Sequence, residues 1–136
     1  MVKDNYQSKT EVRVRWSECD MQGIAFNAVY MIWAEIAFQE HWRSLGLNIY
    51  ELGEENIFDT VIVNSNINYK LSARLDEILT ILGEITKIGT SSFTMEFKIH
   101  KQNGQLLTNI ENTYVSYDRI KEKSIKIPEH IRKLLA

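Results

Sequence analysis

From Thr10 to Trp16 apolar and charged positions alternate, with Val12, Val14 and Trp16 on one side and Arg13 and Arg15 on the other. A repeat of two predicts a half-buried strand. At Asn27 the period lengthens. Tyr30, Trp33, Ala34, Ala37, Phe38, His41 and Leu45 recur at spacings of three and four, and Glu35, Gln39 and Arg43 form one polar stripe. That spacing predicts a helix over 27–45, apolar on most of its circumference and stopped by Gly46. After an acidic connector, ELGEEN (51–56), the short period returns. It predicts strands over 59–70, 77–88, 91–100 and 105–118, with turns at Gly89–Thr90 and at the hairpin dipeptide Asn103–Gly104. A last short helix is expected over 128–135, with Pro128 at its start, Glu129 in its first turn and basic residues in its last.

Strand, long helix, four strands, short helix is an α+β order. One five-stranded antiparallel sheet has one greasy helix to cover, so the sheet is expected to curl round it as a single domain over 1–136. No linker, repeat or low-complexity tract interrupts the chain.

Composition narrows the function. Sixteen basic residues against 18 acidic ones give a net charge of -2, which argues against nucleic acid as a partner. The run Arg119, Lys121, Lys123, Lys126 is the exception, readable as a solvated edge or as a site for a phosphate-bearing ligand. One cysteine excludes an internal disulfide framework. The polar start, MVKDNYQSKT, lacks a signal-type apolar region, and the longest apolar run, 28–34, is too short to span a bilayer. A cytoplasmic location without a membrane span is the expectation. There is no phosphate-binding loop and no dinucleotide fingerprint, and His41, His100 and His130 show no ligand spacing. Neither a cofactor nor a metal is expected.

The candidate chemistry lies between the first strand and the long helix. Asp20, followed by Met21, Gln22 and Gly23, is a carboxylate in a connection. It can act as nucleophile or as general base toward water, or serve only as a turn-forming residue. Asn27, seven residues on, suits a helix N-cap. The first turn of a helix also offers unpaired N–H groups and a positive dipole end for an oxyanion. Glu35 reads as part of the polar stripe or as a second catalytic carboxylate. Glu18 reads as a solvated neighbour of Asp20, with pairing to Asp20 as the alternative. Cys19, with no histidine near it in sequence, reads as a small core residue.

The segment RVRWSECDMQGIAFNAVYMIWAE (13–35) resembles the signature of the 4-hydroxybenzoyl-CoA thioesterase family, closest to its Tol–Pal-associated bacterial branch. Asp20, Gly23 and Tyr30 match the family's Asp, Gly and helix aromatic. The block INYKLSARLDEILTILGEITKIGTSSFTMEF (67–97) matches its tyrosine-bearing strand end, its Ala-Arg-Leu-Asp turn and its Gly-Thr-Ser hairpin. The resemblance implies a hotdog fold and acyl-CoA thioester hydrolysis, with acyl-carrier protein as the other possible carrier. It also implies active sites between the two copies of a homodimer, which can pair further into a dimer of dimers. It assigns the catalytic carboxylate to Asp20 and the carbonyl-polarising backbone N–H to Asn27, where many members of the branch have histidine. It further implies pantetheine contacts at Val61, Val63, Ser91 and Ser92, and phosphate contacts at Lys70 and Arg74. Arg74 can equally pair with Asp76 or cap its turn. Phe26, Trp33 and Phe38 are candidates for an acyl pocket or for core. Two rivals stand beside hydrolysis. A hotdog hydroxyacyl dehydratase would want a histidine at the helix start, and a non-catalytic acyl-carrier binding module would leave Asp20 idle.

Overall fold

The computed structural model describes residues 6–136, so part of the polar start lies outside the described residues. Strand β1 (Ser8–Arg13) is followed by a single 3-10 turn (Trp16–Glu18) and helix α1 (Val29–Ser44). Helix α2 (Ile49–Glu54) leads to β2 (Thr60–Tyr69), β3 (Ile78–Ile88), β4 (Ser92–Lys101) and β5 (Leu106–Asp118). A two-residue β6 (Lys123–Ser124) and helix α3 (Glu129–Leu135) close the chain. The strands form one antiparallel sheet in the order β1-β3-β4-β5-β2, with β6 added to the end of β5. The expected five-stranded wrap is therefore present, plus one short strand.

Three boundaries differ from the sequence reading. The first strand ends at Arg13, and Trp16 is 81% exposed rather than sharing the face of Val14. The cause is local. Glu18 N–H bonds the Arg15 carbonyl and Cys19 N–H bonds that of Trp16, while the Glu18 carboxylate takes the Arg15 N–H at 2.8 Å. These short-range bonds coil the chain where the alternation would have continued. The acidic connector is mostly helix, because Asn48 Oδ1 caps α2 by accepting the N–H groups of Tyr50 and Glu51. Helix α1 starts at Val29, two residues later than expected.

The helix is apolar because the sheet faces it. Trp33, Phe38 and Trp42 pack with Phe93, Met95, Phe97, Ile99, Ile110 and Tyr114 in one core. Phe38 stacks on Tyr114 at 4.3 Å between ring centroids. Trp33 and Phe38 are thus core residues, 1% and 5% exposed. The Trp33 indole N–H donates to Glu18 at 3.1 Å, so Glu18 is a structural acceptor and not a solvated neighbour. Coverage is uneven. α1 lies against β1, β3 and β5, while the edge strand β2 keeps Val61, Ile62 and Val63 exposed.

His41 is buried on α1 with no hydrogen-bond partner on either ring nitrogen among the described residues. Burial pushes its pKa down, and that of the less buried His100 on β4 as well. The unfolded chain takes up these protons near about pH 6.5 and the folded chain does so only lower, so stability is lost as pH falls through that value. Urea midpoints are expected to drop between about pH 7.5 and 5.5. His41→Leu should flatten the drop, and an unchanged slope would assign the effect to His100.

Candidate active site

The carboxylate turn is pinned from both sides. Asp20 N–H bonds the Ile24 carbonyl at 2.9 Å and Gly23 N–H bonds the Asp20 carbonyl at 3.0 Å. Gly23 adopts φ +75, where glycine has no steric penalty. Bridges Cys19–Ala25 and Ile24–Arg74, with Leu75 N–H on the Gly23 carbonyl at 3.1 Å, hold the turn against the loop before β3. One carboxylate oxygen of Asp20 accepts the Gln22 N–H at 2.8 Å, so Asp20 is a turn-forming residue. The other oxygen has no partner among the described residues. Asp20 is the one carboxylate lining a hollow of about 530 Å³, with Trp16, Cys19, Met21, Gly23 and Phe26. Phe26 and Met21 are exposed there.

The start of α1 corrects the capping assignment. The position before the helix is Ala28, with helical angles (φ -68, ψ -24) and no side-chain cap bond. Asn27 lies inside a turn closed by Val29 N–H on the Phe26 carbonyl at 3.0 Å. Its side chain therefore does not cap. The N–H groups of Asn27 and Ala28 find no acceptor among the described residues, and both residues are exposed. Two free amides at the positive end of a 16-residue helix form an anion-facing corner. Ala28 had no signal in the sequence, because its contribution is backbone alone.

Two tyrosines fix this corner. The Tyr69 hydroxyl donates to the Asn27 carbonyl at 2.9 Å, and the Tyr30 hydroxyl accepts the Ala73 N–H at 3.0 Å. Tyr30 is 2% exposed and stands edge-on to Tyr69 and Trp33, so its geometry is that of a positioning residue. A second hollow of about 400 Å³ opens here, lined by Ala25, Asn27, Tyr30, Tyr69, Lys70, Leu71 and Ser72. It adjoins the Asp20 hollow across residues 25 and 26. The Arg74 guanidinium has no carboxylate within reach among the described residues, and it is the backbone N–H of Arg74 that donates to Glu77 Oε1 at 2.6 Å. The pairing of Arg74 with Asp76 is not formed.

Asp20, Gly23, Asn27, Tyr30, Lys70 and Arg74 thus gather at one end of the sheet. Val61, Val63, Ser91 and Ser92 do not join them. Val61 pairs with Val115, which pairs with Ser92, whereas Tyr69 pairs with Thr108. Eight residue steps along β2, from Val61 to Tyr69, separate the two rows, about 26 Å at the rise of a strand. Within one copy these groups cannot meet at a single carbonyl.

The remaining candidates are engaged elsewhere. The Cys19 thiol is pushed up by burial and then by the charges of Asp20 and Glu18, which disfavours the thiolate. Glu35 is exposed along one side of α1, yet its carboxyl leans over the sheet to within 3.5 Å of the Tyr114 hydroxyl. That hydroxyl also accepts from Asn112 at 3.3 Å. Burial raises Glu35 against the opposing pull of Tyr114, and burial raises Tyr114 as well. Glu35 stands eight residues beyond Asn27, about 12 Å along the helix. His41, His100 and His130 lie on α1, β4 and α3, and among the described residues no group of three His, Cys, Asp or Glu gathers. No described helix is long and apolar enough to cross a membrane.

A single antiparallel sheet curled round one long helix, with a carboxylate turn leading into that helix, is the hotdog architecture. The chain belongs to the thioesterase superfamily, whose family model matches residues 22–108. It is similar to the putative acyl-CoA thioesterase YneP of Bacillus subtilis, at 24% identity over 88% of this chain and 86% of that one. It is also similar to the acyl-CoA thioester hydrolase YbgC of Shigella flexneri, at 29% identity over 88% and 89%. Among solved structures, a DHNA-CoA thioesterase from Staphylococcus aureus superimposes with a TM-score of 0.85 at 21% identity, over 93% of this chain and 84% of that one.

Proposed function

We propose that the chain hydrolyses acyl-CoA thioesters to the free acid and CoA. The observation that carries this reading is the pair of unpartnered amides at Asn27 and Ala28, seven and eight residues from the Asp20 carboxylate. The thioester carbonyl oxygen accepts from the amides, which stabilise the charge it gains on attack. In one route Asp20 takes a proton from water as the water adds to the carbon. In the other Asp20 attacks the carbon itself, forming a mixed anhydride that water then opens. In both the C–S bond breaks, the thiolate leaves and a solvent proton neutralises it. Thiols ionise near about 8.5, so departure needs little acid assistance.

The opposed rows on β2 favour a two-copy site. Antiparallel pairing of β2 with its own copy sets Val61 and Ser92 of one protomer beside the Asn27 corner of the other. It also covers the bare edge at Val61, Ile62 and Val63. Sedimentation is expected to give a homodimer or a dimer of dimers. A charge on that edge, Ile62→Lys, should yield monomers with hydrolysis reduced by at least about 10²-fold, since a split site loses its positioning. Full activity in a monomer would refute the shared site.

The deciding experiment is thiol release from a panel of acyl-CoAs. Turnover is the expected result. Tight CoA binding without turnover on any thioester would instead favour the non-catalytic binding module. Dehydration has no support at the helix start, where Asn27 stands in place of a histidine.

A further inference from the structure

The peptide that joins Asn27 to Ala28 is held at one end and free at the other. Its N–H, on Ala28, finds no acceptor among the described residues. Its carbonyl, on Asn27, takes no backbone N–H among them either. The partner of that carbonyl is the Tyr69 hydroxyl, at 2.9 Å, from the far end of β2. Tyr69 is 47% exposed, and water could satisfy both groups, so the bond adds little to stability. Yet the ring that makes it is closely held. Tyr69 sits opposite Thr108, and just beyond it the N–H groups of Lys70 and Leu71 both bond the Leu107 carbonyl, at 2.9 and 3.1 Å. The ring stands edge-on to Tyr30, with centroids 5.1 Å apart and planes at 88°. Tyr30 is buried, and its hydroxyl holds the Ala73 N–H. Fixed groups thus run from the loop before β3 through two rings to one surface peptide. So much constraint on an exposed hydroxyl serves direction more than stability.

A trans peptide is planar, and its carbonyl and N–H point in opposite directions. Fixing the one aims the other. A hydroxyl that donates to the carbonyl oxygen also draws charge from the amide nitrogen, which strengthens the N–H as a donor by roughly 10–30%. We propose that Tyr69 is a positioning residue for thioester hydrolysis, its bond to the Asn27 carbonyl orienting and polarising the Ala28 N–H toward the oxyanion. This rests on the acyl-CoA reading above. The neighbouring donor is backed in the same way. The Asn27 N–H shares its peptide with the Phe26 carbonyl, which takes the Val29 N–H at 3.0 Å. One donor is therefore supported by the helix's own first turn and the other by a side chain on β2, and a side-chain substitution can remove only the second. Mutual strengthening is greatest when the acceptor carries a full charge, so the benefit falls on the transition state and on kcat rather than on KM.

The test deletes the hydroxyl alone. Tyr69→Phe keeps the ring against Tyr30 and is expected to fold as the parent, by circular dichroism and urea midpoint. Its kcat for an acyl-CoA should fall about five- to tenfold, the scale of one ordinary hydrogen bond, with KM within about twofold. A double-mutant cycle separates this role from a merely structural one. On an Ala28→Pro background, which has no N–H at that position, Tyr69→Phe should cost nothing further, because the group it acts through is already gone. Equal losses in both backgrounds would overturn the proposal, and so would parental kcat in folded Tyr69→Phe. A raised KM with kcat kept would make Tyr69 a substrate contact in the hollow beside Lys70, which also overturns it. Nitrogen-15 NMR supplies a readout that needs no turnover. With the ring kept, the Ala28 amide nitrogen should move upfield in Tyr69→Phe as its polarisation is lost, and an unmoved Ala28 resonance would count against the coupling. If no thioester is hydrolysed yet the Ala28 amide follows the hydroxyl, the coupling of Tyr69 to Ala28 is retained and the hydrolase is rejected. Should Ala28→Pro fail to fold, the amide shift and the split between kcat and KM decide the question.

Discussion

Asp20→Asn is expected to fold as the parent chain does and to lose about 10²–10⁴-fold in turnover, the usual loss for a missing general base. A lost nucleophile can cost more. The turn explains why asparagine is the informative replacement. One side-chain oxygen of Asp20 accepts the Gln22 N–H, and an asparagine oxygen can accept it equally well. The other side-chain oxygen becomes an amide nitrogen, which neither attacks a carbonyl nor takes a proton from water. Asp20→Ala would remove the turn bond as well and mix folding with chemistry. CoA affinity should persist in Asp20→Asn, because the substitution keeps the shape of the turn and removes no proposed CoA contact. Glu35→Gln is the paired control. Its carboxyl is engaged with Tyr114 about 12 Å along the helix from Asn27, so turnover should stay within a few-fold. A well-folded Asp20→Asn protein with parental kcat, beside a dead Glu35→Gln, would move the chemistry to the second carboxyl.

The helix and the strands were legible because burial imposes periodicity. Phe38 and Trp42 recur at four because they face Phe93 and Tyr114, and Phe93, Met95, Phe97 and Ile99 alternate because one side of β4 faces the helix. The Asp20 turn was legible through Gly23, whose positive φ demands a residue of that kind. Trp16 was misread because three short-range bonds around Glu18 outweighed an alternation that nothing in residues 14–16 interrupts. Asn27 has the composition of a cap, but the cap position falls on Ala28, and Asn27 lies one residue ahead of it inside the turn that Val29 N–H closes on the Phe26 carbonyl. The division of the site residues into two rows was beyond the sequence. Strand pattern tells which residues share a face but not which end of the sheet a loop reaches. Only the register of Val61 with Val115 and of Tyr69 with Thr108 separates Ser92 from Asn27.

Asn27→Pro against Asn27→Ala separates backbone from side chain at the proposed oxyanion corner. Because the Asn27 side chain makes no cap bond, Asn27→Ala should cost little stability, within about 0.5 kcal/mol as at an ordinary surface position. It should also leave turnover near parental, since the amide remains. Proline deletes the N–H itself. The site accepts the ring on general grounds, for Asn27 is the second residue of a turn, a favoured proline position. The Asn27 carbonyl that takes the Tyr69 hydroxyl is kept. Proline does restrict Phe26 before it, so circular dichroism and the urea midpoint come first. With folding preserved, loss of one oxyanion donor is expected to lower kcat by about 10²–10³-fold with KM little changed. The neighbouring Ala28 amide still faces the same corner, so the loss should stop short of complete. If folded Asn27→Pro keeps full turnover while Ala28→Pro loses it, the donor is Ala28. If both proline variants are active and Asn27→Ala is not, the amide side chain binds substrate and the backbone assignment fails.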